Sequence, residues 1–79
     1  MGWEDIFTRG FQFALRLWKD GLTLESISNR REYDETAYGR GMYAAVETLS
    51  GWLDTAEREA RMWGFSREAA QRLVASGVE

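Results

Sequence analysis

Cysteine, histidine and proline are all missing from the 79 residues. Without cysteine there are no disulfides, no thiolate ligands and no thiol nucleophile. Without histidine the commonest metal ligand is gone, together with the usual general base near neutral pH. Without proline no ring interrupts a helix. Long apolar runs are missing too. No stretch approaches the roughly 20 residues that a membrane-spanning helix needs, and the N-terminus lacks the basic region and apolar core of a secretory leader. A cytoplasmic location is the expectation. Lysine is nearly missing: a Ser–Lys dyad would have to use Lys19, on the polar side of its helix. The carboxylates of Glu47 and Asp54 are two helical turns apart, Gly39-Arg40-Gly41 follows no strand, and no loop has the alternating acids of a calcium hand. The expectation is no enzyme, no metal and no cofactor.

Aromatic residues and glycine are abundant instead. Four Trp, four Phe and three Tyr make 14% of the chain, and there are eight Gly. A domain this short buries only about 60% of its unfolded surface. Such domains normally add disulfides, metals or oligomerisation, and the first two are gone. Dense helix packing or a second subunit is left. The net charge is −3. Residues 1–33 balance five cations against five acids, and residues 34–79 carry the whole excess. An acidic, helix-rich half disfavours phosphate contact and suits a basic partner surface.

Three helices are expected, over about 3–20, 34–63 and 66–77. In the first, Trp3, Ile6, Phe7, Phe11, Phe13, Ala14, Leu15, Leu17 and Trp18 fall within an arc of roughly 200°, about twice what one neighbouring helix covers. Gly10 lies inside that arc and Gly21 is a natural stop. Thr23 can cap a short turn through Ser28, with Leu22, Leu24 and Ile27 tucked onto the core. Asn29-Arg30-Arg31-Glu32 has the spacing of a capping box, and Asp34 and Glu35 suit the positive end of the next helix.

That next helix is expected to be long and central. Tyr38, Met42, Ala45, Leu49, Trp52, Ala56 and Trp63 make one stripe in steps of four and three, with Glu59 standing where one more apolar residue belongs. Beside it run Ala37, Gly41, Ala44, Thr48, Gly51 and Thr55, small residues that let another backbone come close. The period keeps its phase across Gly39-Arg40-Gly41, which favours an unbroken helix there. Gly64 ends it, Ser66 caps the third helix, and Gly77 can take a left-handed closing position with Val78 folded back on Leu73.

Gly21 to Ser28 resembles the opening of a helix-turn-helix. That likeness implies a small DNA-binding regulator with its recognition helix starting near Asp34. It covers about 20 residues and then departs: Arg31 stands at an apolar position, Glu32 at the turn glycine, and Asp34 and Glu35 would face phosphates. Gly64-Phe65-Ser66-Arg67-Glu68 resembles the start of a ubiquitin-associated domain, but the three helices that domain needs do not follow. In size, acidity and helical plainness the chain is similar to the small inhibitor and adaptor proteins of phages and mobile elements, anti-CRISPR proteins among them; no motif carries that likeness.

The sequence therefore predicts an all-α domain of three helices with one long central helix, forming a helical homodimer and binding a protein partner without catalysis. A DNA-binding regulator and a minor structural component of a virion or other large assembly are the alternatives. Trp3, Phe7, Phe11 and Trp18, with Gly41, Ala44 and Thr48 of the small stripe, are the candidates for self-association or partner contact. Glu47, Asp54 and Glu57 are the candidates to face a basic partner.

Overall fold

The computed structural model describes residues 2–30, 33 and 36–78, and every regular element among them is a helix. In order these are α1 (Trp3–Lys19), α2 (Leu24–Ser28), α3 (Ala37–Leu49), α4 (Leu53–Met62) and α5 (Arg67–Gly77). None is long and apolar enough to cross a membrane. α1 and α5 lie where the apolar periods place them. The Thr23 hydroxyl accepts from the Ser26 N–H at 3.0 Å, and the Ser66 hydroxyl from the Ala69 N–H at 3.2 Å; each satisfies an amide that its helix leaves over. Ile27 is fully buried, with Leu22 and Leu24 packed against the core. The capping box expected over 29–32 and the acidic helix start at Asp34 and Glu35 fall on or across residues outside the described ones. α3 is capped by Thr36, whose hydroxyl accepts from the Gly39 N–H at 3.2 Å.

The single long helix expected over 34–63 is replaced by α3 and α4. The backbone is helical through Gly39-Arg40-Gly41, as the period predicts, and stops instead at Gly51, whose φ is +90°. There the Gly51 N–H bonds the Thr48 carbonyl at 3.1 Å, and the Trp52 N–H reaches the Glu47 carbonyl at 2.8 Å. This pair of bonds is the Schellman closure, which favours glycine in its left-handed position. Gly21 and Gly64 close α1 and α4 with the same pair of bonds. Gly77 differs from expectation. It is the last residue of α5, outside the left-handed region, and Val78 is exposed rather than folded back.

Nothing lies within 4 Å of a Cβ added at Gly51. Gly51→Ala is therefore expected to lose stability by about 1–2 kcal/mol, from backbone conformation alone. Gly51→Asn should lose less, since asparagine tolerates that conformation better. Urea denaturation of the two variants checks the order; an alanine variant as stable as the parent would refute the left-handed turn.

The core forms where α1 and α3 cross. Phe7, Phe11, Ile27 and Met42 are the largest side chains fully buried. A Cβ on Gly10 would overlap the Tyr38 carbonyl, lying 2.8 Å from its carbon, and one on Gly41 would overlap that of Phe7, lying 2.9 Å from its carbon. The two glycines thus let the backbones touch. At one end of the molecule Arg40 of α3 meets Glu59 of α4, and Trp3 of α1 meets Trp63. At the other end Leu15 and Trp18 of α1 lie beside Thr48 and Leu49 of α3 and the end of α5. α1 and α3 therefore point the same way, and α4 returns between their ends.

Candidate functional site

Glu59 is the odd residue of the α4 stripe, and the structure gives it partners. Its residue is only 7% exposed. Arg40 donates from Nε to Oε2 at 2.7 Å and from Nη2 to Oε1 at 2.9 Å, the two-pronged geometry that makes guanidinium–carboxylate pairs strong. Trp63, one turn further along, donates from Nε1 to Oε2 at 3.1 Å. The guanidinium carbon of Arg40 lies 4.2 Å from the centre of the Tyr43 ring, inside cation–π range. The hydrogen bonds from Arg40 hold the Glu59 carboxyl below its ordinary value of 4.5; burial opposes them and Trp63 assists.

This pair floors an open depression walled by Met62 and Trp63. The Trp63 ring meets the edge of Trp3 at 5.9 Å and 65°, an arrangement that aromatic pairs favour. Met62 is 73% exposed and Trp3 61%. Glu4 leans over the Gly64 turn beside them, its Oε1 3.3 Å from where a Gly64 Cβ would stand. The result is an exposed apolar rim around a depression floored by a partly buried ion pair.

At the opposite end a groove of about 520 Å3 runs between the C-terminal ends of α1, α3 and α5, walled by Leu15, Trp18, Leu49 and Val78 with Lys19 at its side. Trp18 is 44% exposed there.

The residues expected to meet a copy or a partner divide sharply. Phe7 and Phe11 are fully buried inside the chain, with Phe7 packed on Phe65 at 5.4 Å between ring centres. Gly41, Ala44 and Thr48 are buried against the chain's own helices, and the Thr48 hydroxyl donates to the Ala44 carbonyl at 2.8 Å. The wide apolar arc of α1 and the small-residue stripe of α3 close largely on each other, because Gly10 and Gly41 permit contact that side-chain counting does not foresee. Those five residues are corrected to core. Trp3 and Trp18, at the two ends of α1, stay at the surface.

The expected acidic face is also divided. Asp54 and Glu57 line a groove between α4 and α5 that contains Arg58, Arg61 and Arg67 as well, so its charge is mixed. Glu47 lies apart, on α3 near Tyr33, whose hydroxyl is pushed above its ordinary value of 10.0 by burial first and then by Tyr43 and Glu47. Among the described residues no group of three or more His, Cys, Asp or Glu could hold a metal ion.

Met62 and Arg40 were not legible as site residues. Met62 belongs to no stripe, and Arg40 lies 19 positions from Glu59, with no local spacing to connect them. The one usable signal was Glu59 itself, a charge in an apolar register. No protein-family model, no curated protein and no solved structure matches this chain.

Proposed function

We propose that the protein is a non-catalytic binding protein, acting as an inhibitor or adaptor that occupies another protein's surface with the Trp3–Met62–Trp63 patch. The observation that carries this reading is the patch itself: large apolar side chains open to water beside the Arg40–Glu59 pair. Exposed apolar side chains in a contiguous group, rimmed by polar residues, mark interaction surfaces, and Trp is prominent among the residues that dominate binding energy. The chemistry nearby supports binding over catalysis. Glu59 is tied up by Arg40 and Trp63, and the shifted groups, Glu59 and Tyr33, move away from neutrality.

The DNA-binding alternative finds less support. The would-be recognition helix, α3, has no fully exposed residue. A helix that reads a groove needs a free face.

Capture from an extract of the native host tests the proposal. Immobilised wild-type chain should retain a protein that the Met62→Glu and Trp3→Ala variants lose, while Asp54→Lys retains it. Both variants change surface positions, so their circular dichroism should match the parent. A captured set indifferent to both substitutions would remove the patch from consideration.

A further inference from the structure

We infer that α3 and α4 can join through Gly51 into one continuous helix, and that two copies of the chain then pair by exchanging α4 and α5. The inference is independent of the patch proposed to bind another protein. It starts from how little separates the two helices. Ser50 still has right-handed helical angles, and between Leu49 and Leu53 only Gly51, at φ +90°, and Trp52, at ψ 66°, leave that region. Gly51 has no Cβ to resist either conformation. The amides there need only trade acceptors. Gly51 now bonds Thr48 and Trp52 bonds Glu47, whereas a continuous helix pairs Gly51 with Glu47 and Trp52 with Thr48. α4 starts without a side-chain cap, and in the joined form the amides of Leu53, Asp54 and Thr55 reach the carbonyls of Leu49, Ser50 and Gly51. The apolar register already runs through the break.

Joining the helices pulls α4 off its own α3, so a second copy must supply the contacts that are lost. α3 and α4 lie antiparallel, with Arg40 near the start of one meeting Glu59 near the end of the other. Two joined helices therefore cross antiparallel at Gly51, about a two-fold axis. Each lobe rebuilds the Arg40–Glu59 pair and the Trp3–Trp63 and Phe7–Phe65 contacts between copies. No core contact is given up, which makes such an exchange a low-cost route to a dimer. The crossing also covers what a single chain leaves open. Trp52 is 64% exposed and Leu53 38%. At about 100° per residue they share with Leu49 an arc of about 100°, while Glu47 and Asp54, the charged residues within a turn of Gly51, stand on the far side. The new contact is therefore apolar and insensitive to salt. The pairing is symmetric and closed, so growth stops at two.

Gly51→Ala is the test. The stability loss expected for it belongs to the hairpin, where alanine opposes the left-handed turn; in the joined helix alanine is favoured over glycine. Both effects act at two hinges per dimer, so the association constant should rise about a thousandfold or more. Sedimentation equilibrium should show the parent as a 9.1 kDa monomer when dilute, with dimer present after refolding at millimolar concentration. The alanine variant should be a dimer at micromolar concentration, at low and high salt alike. Spin labels at Glu4→Cys and Met62→Cys, with labelled chain diluted into unlabelled, identify the exchange. Glu4 lies against the Gly64 turn in the hairpin, so the labels are neighbours there. In the dimer they fall in different lobes and separate by the length of the joined helix, Ala37 to Met62, about 39 Å at 1.5 Å per residue. An alanine variant that stays monomeric, or that dimerises with its labels still adjacent, would overturn the inference. So would one that is unfolded at every concentration, since the joined helix has no left-handed residue to strain. A parent that yields no dimer, or either protein growing past dimer, would overturn it too.

Discussion

Gly41→Ala is expected to destabilise the protein by at least about 2 kcal/mol, although alanine is the better helix former. The propensity gain is about 1 kcal/mol in alanine's favour. Against it stands the Cβ, which would overlap the Phe7 carbonyl oxygen and come within 3.0 Å of the Phe11 nitrogen. Those atoms are backbone, so no rotamer change clears them, and α1 must move away from α3. Overpacking costs about 1–3 kcal/mol when side chains can adjust, and more when they cannot. Moving α1 also loosens Phe7, Phe11 and Met42, all fully buried. Gly10→Ala should act alike, against the Tyr38 carbonyl. The double variant should lose less than the sum, since the first alanine already opens the seam for the second. With a total stability of about 0.05–0.15 kcal/mol per residue, a domain of 79 residues has little margin, and the double variant should lose its cooperative urea transition. Gly41→Ala as stable as the parent would mean that the two backbones do not touch there.

That seam also explains what could be read in advance and what could not. Helix existence was legible from period, and α1 and α5 follow it closely. Caps at Thr23 and Ser66 were legible because a hydroxyl before a helix has one local job. The break at Gly51 was hidden. Leu49 and Trp52 keep helical spacing across it, so the apolar register runs on as though the backbone did. Yet Gly51 closes α3 with the same bonds by which Gly21 closes α1, and Trp52 emerges 64% exposed. Periodicity reports which side chains are apolar; it is blind to a turn that happens to preserve phase. The patch was half legible. Trp3 belonged to the apolar arc, but whether an arc residue meets its own chain or water depends on how far each neighbouring helix extends. α3 covers the middle of α1 and leaves both ends open. Glu59 marked itself by breaking a pattern, while its partner Arg40 looked like a spacer between two glycines.

Arg40→Met should cost about 2–3 kcal/mol at pH 7, below the usual figure for breaking a fully buried pair because the arginine side chain is 27% exposed and Glu59 9%. The loss comes from what stays behind: a carboxylate shielded from water, with Trp63 as its remaining described donor. Glu59→Leu alone should cost less, since the longer Arg40 side chain can still reach solvent. Changing both, Arg40→Met with Glu59→Leu, should bring stability back to within about 1 kcal/mol of the parent, because an apolar pair of similar volume avoids the desolvation of two charges. It also completes the α4 stripe. The pH dependence gives an independent reading. The Glu59 carboxyl is held below 4.5 in the folded protein, so the unfolded chain takes up its proton first. The pair's contribution is present above 4.5 and is lost as pH falls through the lower folded value. The double variant should lack that acid step. In Arg40→Met the main lowering influence is gone and burial remains, so acid should narrow its deficit against the parent. Urea midpoints at pH 7 and pH 4 measure all four proteins. A neutral Arg40→Met would show that the pair does not stabilise the fold, and a double variant that loses the sum of the two single losses would show that Arg40 and Glu59 act independently of each other.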